Sequence, residues 1–332
     1  MYEAFIFAAE AVLPIILMIA LGYVIKRIGL VGKDFFDAGN KLVFRVLLPV
    51  MLFCNVYGIE RLSDVNPAYV LYGMGAVILI FLAAIPVCCA FTKDNGKRGV
   101  LIQGIFRSNY AIIGIPLAES LFGPAGAAAA GVMSAFCVPL FNILAVISLT
   151  LFHTGTEKKK PEIGKIIAGI VKNPLIIGTA AGLLVLCVRG LFEQWGIAFR
   201  LSDMTVIYKT LDSIKTVCTP FALIVLGGRF EFSAVARLRR EIVFGTVIRN
   251  IAVPVLGLSA AYLLKETLGL AGEHFATFVG VFATPVAVSS AIMAKEMGAD
   301  DELAGQLVVW TSLFSTVTIF VYVTILKMLG IF

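Results

Sequence analysis

Ser108 and Asn109 stand a short way ahead of Gly114-Ile115-Pro116, and Thr284-Pro285 stands just ahead of Ser289 and Ser290. Both groups interrupt long apolar stretches. Proline removes a backbone donor and cannot continue a helix from its own N-terminal side. In hydrocarbon, the freed carbonyl must find a partner in protein or trapped water. A helix that restarts after such a break offers unpaired N–H groups and the positive end of its dipole. That is a place for an anion. Thr284 reads as an N-cap with Pro285 at the first helical position, and Gly114 permits close backbone approach. The binding candidates are therefore Ser108, Asn109, Gly114, Pro116, Asn142, Thr284, Pro285 and Ser289, with Asn109 foremost. Taken singly, each polar residue also fits an interhelical hydrogen bond. The prolines could equally be simple kinks.

Ionisable residues inside apolar stretches are functional candidates by default. Glu119 follows Pro116 by three residues; it could hold a coupled proton or face the outer surface. Asp212 lies three residues from both Lys209 and Lys215, where an ion pair is feasible. Arg45, one turn before Pro49, could steer an anion, and Lys41 shares its helical face. Lys41 and Lys209 lie near span ends and can snorkel. Glu10 completes the set. The six cysteines show no metal-ligand spacing and read as small core residues. Neither a cofactor nor a metal is expected.

These residues sit in a chain that is 60% hydrophobic and only 14% charged, with mean hydropathy +0.98. A soluble domain carries about 25% charge. The apolar residues fall in blocks of membrane-crossing length, at roughly 5–26, 38–58, 67–91, 99–122, 125–152, 173–192, 207–229, 242–264, 275–298 and 303–328. The first block is expected to be retained rather than cleaved as a signal. The net charge of +6 reflects loop cations, not a nucleic-acid partner. Alternate loops carry sixteen and five Lys and Arg residues, so the richer face should be cytoplasmic, with both termini outside the cell membrane.

Pro49 and Pro220, Pro86 and Pro254, and Pro116 and Pro285 are separated by 171, 168 and 169 residues. Three prolines at one spacing, in matching spans, imply an internal repeat. Each repeat holds an odd number of spans, so the second inserts inverted. The expectation is an all-α membrane protein of ten transmembrane helices. Residues 1–152 and 173–332 form two inverted five-helix repeats, joined by a linker at 153–172, with helices 4 and 9 broken.

Longer motifs run through the chain in order: Asn40-Lys41-Leu-Val-Phe, Leu48-Pro49-Val-Met-Leu-Phe53, Phe106-Arg-Ser-Asn109, Ile113-Gly-Ile-Pro116-Leu, Lys172-Asn173-Pro174, Thr219-Pro220-Phe-Ala-Leu, Thr284-Pro285-Val-Ala and Ala294-Lys295-Glu296. With these, nearly the whole chain resembles the auxin efflux carrier family, whose bacterial members include malonate-type carriers. The resemblance implies the fold of sodium/proton antiporters and bile-acid symporters. Spans 1, 2, 6 and 7 would form a scaffold, as a homodimer, and the other spans a moving part. Substrate would bind where spans 4 and 9 cross, at Asn109, Pro116 and Pro285, and move by an elevator motion. Glu119 stands where the family has an apolar residue. The central loop is too short to imply plant-type regulation.

The expected function is secondary transport of small organic anions, carboxylates foremost. A proton- or sodium-coupled symporter using Glu119 or Asp212 is the alternative within transport. Outside it stand a channel and a membrane-embedded enzyme, and for the enzyme no convergent acid–base or metal set is visible.

Overall fold

In a computed structural model, residues 2–58, 66–152 and 171–332 are described, with side chains from Leu13 onward. Glu10, Arg61 and the basic run Lys158-Lys159-Lys160 in the expected linker lie outside these side chains. All regular structure among the described residues is helical. In chain order the helices are α1 (Tyr2–Arg27), α2 (Lys33–Leu42), α3 (Leu48–Tyr57), α4 (Pro67–Phe91), α5 (Asn95–Phe106), α6 (Ile115–Leu151), α7 (Pro174–Gln194), α8 (Thr205–Arg229), α9 (Phe232–Val247), α10 (Val253–Leu263), α11 (Lys265–Leu268), α12 (Gly272–Ala283), α13 (Val288–Glu296) and α14 (Asp301–Met328). Seven helical stretches among the described residues are long and apolar enough to cross a membrane.

Three joins between helices are single π-helical turns: Val43–Leu47, Tyr110–Gly114 and Ile248–Ala252. Each directly precedes a helix with proline at its second residue: Pro49, Pro116 or Pro254. The ring cannot accept the regular pattern, so the chain widens by one residue and continues. The carbonyl left by Pro254 is Asn250 O, which the Tyr322 hydroxyl serves at 3.0 Å. Inside α6, Gly123 takes φ 56°, ψ −140° ahead of Pro124. Only glycine adopts this backbone cheaply, and it divides α6 into two arms near the expected boundary between the fourth and fifth spans.

Ion pairs locate one end of the molecule. Lys26 meets Glu231, Lys97 meets Glu241, Arg237 meets Glu302, and Lys295 approaches Asp37 and Asp301. This is the basic face. At the other end Asn66 donates to Leu268 O, Ser202 N reaches the Tyr57 hydroxyl, and Phe122 packs on Phe332. Helices reach further than the apolar pattern suggested on the basic side. They begin at Lys33, Asn95 and Phe232 rather than near 38, 99 and 242, because polar residues there face water without interrupting the helix.

Helices α1, α2, α3, α7 and α8 form one group. Side chains at Gly22 or Gly227 would strike the backbone of the facing helix at Ile224 or Ile19. Small residues let membrane helices approach this closely. The second group, α4–α6 with α9–α14, centres on α12, where Phe275, Phe278 and Phe282 are buried among Tyr69, Tyr72 and one another.

Candidate functional site

The second group contains two interrupted helices that cross each other. One break falls between α5 and the turn at Tyr110, where Arg107 is extended (φ −89°, ψ 108°) and Asn109 is non-helical. The other spans Thr284 to Ala287, between α12 and α13. The two short extended segments pair antiparallel through Ser108 and Val286. Asn109 N donates to Pro285 O at 2.8 Å, and Ala287 N to Arg107 O at 3.4 Å. The unwound backbones thus satisfy each other, as buried backbone must. Gly114 and Gly280 let the adjoining arms touch: a Cβ on Gly114 would lie 2.9 Å from the Gly280 Cα.

Both breaks differ from their expected form. The first is at Arg107–Asn109, not at Gly114-Ile115-Pro116, where the π turn and the N-terminal placement of Pro116 keep the chain helical. Of the two prolines 169 residues apart, only Pro285 therefore lies in a break. Thr284 is not an N-cap. It closes α12 in an extended conformation (ψ 154°), as the residue before proline prefers, and its hydroxyl donates back to Gly280 O at 2.7 Å. The helix restarts at Val288 after Ala287.

Two buried arginines flank this crossing, and neither was among the sequence candidates. Arg249, fully buried, donates to Ile105 O, Val281 O and Thr284 O at 2.8–3.0 Å. These carbonyls end α5 and α12, so one guanidinium serves the negative dipole ends of both half-helices. Thr311 supports the same break: its hydroxyl accepts from Val286 N at 3.0 Å and donates to Leu307 O.

Arg107 sits on the opposite side of the crossing and is 3% exposed. It donates to Asn142 Oδ1 at 2.6 Å and contacts Met293 Sδ at 2.7 Å. It forms no ion pair with any described carboxylate. Beside it, Ser108 Oγ, Asn109 Nδ2 and Asn142 Nδ2 are buried without hydrogen-bond partners. Because Asn142 Oδ1 is committed to Arg107, its Nδ2 is fixed as a free donor.

These groups line a pocket of 60 Å³ between the two helix groups. Leu48, Met51, Leu52, Cys218, Thr219 and Ala222 form its other wall, from α3 and α8. Ala111, Val288 and Ser289 place the first turns of both restarted helices at its edge, where backbone N–H groups have no intrahelical partner. Arg107 is the one charged residue lining it. A second cavity of 840 Å³ shares Ala111 and Val138 with the pocket and leads away toward Gly58, Asn66, Pro124 and Glu273, opposite the basic face.

The sequence candidates divide accordingly. Ser108, Asn109, Asn142 and Ser289 come together at the pocket. Pro285 contributes its carbonyl to the crossing. Gly114 and Thr284 are buried in the crossing behind the pocket, and Pro116 is exposed. Glu119 is exposed and lines the outer cavity with Lys215, Glu273 and His274. Arg45 and Asp212 are exposed on their helices and line neither cavity, and Asp212 pairs with neither neighbouring lysine. No group of potential ligands for a metal ion occurs among the described residues.

On the basic side the way out is shut. Arg229 of α8 reaches Asp301 of α14, Asn40 of α2 at 3.3 Å and Asp37 at 3.7 Å. Asn40 donates to Glu296 of α13 at 2.9 Å. This network ties α2 and α8 to α13 and α14 below the pocket.

A polar pocket at the crossing of two interrupted helices, open to one side of an apolar helical protein and latched on the other, defines a membrane transporter. A family model described as membrane transport protein matches residues 7–323. The chain belongs to that family, the auxin efflux carriers, and is a transporter rather than an enzyme. It is also similar to an uncharacterized transporter of Methanothermobacter thermautotrophicus, at 22% identity across 95% of this chain and 97% of that protein.

Proposed function

We propose that this protein is a secondary carrier of small organic anions, with carboxylates bound at the crossing pocket. The observation that supports it most is the donor set: a buried arginine without an acid partner, and three buried side-chain donors without acceptors, at one pocket. A buried cation is costly unless paired, and a carboxylate is its natural counter-ion.

In this reading the chain makes ten spans, with 1–152 and 173–332 as inverted repeats and 153–172 as their linker. Helices α1–α3, α7 and α8 are the fixed part. The crossing moves against them as an elevator, carrying Arg107 and its ligand past the wall formed by α3 and α8. The basic face lies in the cytoplasm and both termini outside the cell membrane. Lys209, Asp212 and Ser213 remain exposed on α8, a polar face that a homodimer would cover.

The ion-pair network around Arg229 then acts as a cytoplasmic latch for the outward-open state. Partly exposed pairs are individually weak, so the shift needs more than one removed. With Cys54 and Cys218, which line the two cavities, replaced by alanine, a cysteine placed at Ser289 should label with a membrane-impermeant thiol reagent from the outer side. Adding Asp37→Asn and Asp301→Asn should move labelling to the cytoplasmic side by several-fold. Unchanged sidedness in that combined variant would contradict alternating access across this pocket.

A further inference from the structure

Resting on that reading, we infer the class of carboxylate: a single-charged acid of about pyruvate size, carrying a second acceptor beside its carboxylate. These are the 2-oxo and 2-hydroxy monocarboxylates. Three features of the pocket point there independently.

The first is size. A pocket of 60 Å³ exceeds what one water needs, about 10–15 Å³, and suits a compact acid of a few carbons. Acetate, propionate, lactate and pyruvate are of that kind. A longer or aromatic acid would have to extend toward the outer cavity, which shares Ala111 and Val138 with the pocket.

The second is charge. Arg107 is the one ionised side chain in the lining, against Leu48, Met51, Leu52, Val138 and Phe141. One carboxylate neutralises it. A second carboxylate would stand uncompensated against apolar walls, which is strongly disfavoured.

The third is the count of donors. A guanidinium has five N–H donors, and those of Arg107 are engaged by Asn142 and Met293 only in part. Asn109 Nδ2 and Asn142 Nδ2 each bring two more, and Ser108 Oγ one, all without partners. The free donors number roughly eight, against about four lone-pair sites on a carboxylate. Even half of them, with the N–H groups at the start of α13, saturate a bare carboxylate. An oxygen on the neighbouring carbon takes up the surplus. Its absence leaves buried donors unpaired, the situation that makes polar sites discriminate most sharply.

The test is equilibrium binding to the purified wild-type carrier, by calorimetry, with pyruvate, lactate, propionate, malonate and succinate. Pyruvate and lactate should bind at least tenfold more tightly than propionate, which differs only in lacking the second acceptor, and than either dicarboxylate. In Ser108→Ala the ratio of pyruvate to propionate affinity should fall by threefold or more. Equal affinity for propionate, or tighter binding of malonate or succinate, overturns the inference while leaving a carboxylate carrier intact. If no member of the panel binds to carrier that elutes as a folded species, the carboxylate reading itself fails.

Discussion

Replacing Arg107 by glutamine should weaken carboxylate binding by about 30-fold or more while leaving the carrier as stable as before, or more so. In the empty protein this guanidinium is buried beside Asn142 and Met293 with no carboxylate partner. Its burial therefore costs folding free energy, and removing the charge removes that cost. What disappears is the attraction for the ligand. Truncating one partner of a buried, hydrogen-bonded charge pair costs about 2–5 kcal/mol, which is roughly 30-fold to several-thousand-fold in affinity. Lysine at the same position should recover only part. Its single ammonium cannot hold Asn142 and grip a carboxylate with the geometry of a planar fork. Binding by titration and the midpoint of thermal unfolding, measured on the same preparations, check both halves. Wild-type affinity in Arg107→Gln would remove the residue from the site. A large fall in unfolding midpoint would reassign it to structure.

Arg249→Met should behave in the opposite manner. This guanidinium is saturated by three carbonyls that terminate two half-helices. Methionine fills similar volume but leaves Ile105 O, Val281 O and Thr284 O without donors in a dry interior. Each buried unsatisfied group costs about 1–3 kcal/mol. With partial relaxation, the loss should be roughly 3–5 kcal/mol, the lower part of the sum for three such groups. Lysine should rescue little, because one ammonium cannot span carbonyls held by separate helices. Thermal unfolding should show a clear drop in midpoint, with binding lost in the same variant because the crossing no longer holds its shape. An unchanged midpoint would show that the half-helix ends need no such clamp. The two arginines are thus separable: one holds the crossing, and the other waits for a ligand.

The apolar blocks were legible in the sequence because they follow from transfer free energies residue by residue, and the concentration of cations in alternate loops because it is a direct count. The second break was also legible. Pro285 forces Thr284 out of the helical region, and the interruption follows within a few residues. The first break was not read correctly, because proline is a poor marker when it sits near a helix start. Pro116 is accommodated there by the turn at Tyr110–Gly114. The true interruption, Arg107-Ser108-Asn109, contains no proline. Its signal was the run of three polar residues in an apolar stretch, two of them types that favour caps and turns. Asn109 and Asn142 were recoverable as isolated polar residues. Their joint action with Arg107 was not, since Asn142 reaches the site from another helix. Arg249 carried only the signal common to any cation within an apolar block. Its role depends on carbonyls of residues 105, 281 and 284, and nothing local in the chain announces that meeting. Glu119 could not be assigned from its position relative to Pro116, because the outer cavity it lines is completed by Lys215, Glu273 and His274 from other helices.

A structure of the carrier determined by electron cryo-microscopy at saturating pyruvate tests the central claim most directly. Density for the ligand should lie between the Arg107 guanidinium and the first turn of α13, within hydrogen-bonding distance of Asn142 and Asn109. Density confined to the outer cavity near Glu119 and Lys215, with the crossing pocket empty or filled by side chains, would contradict it.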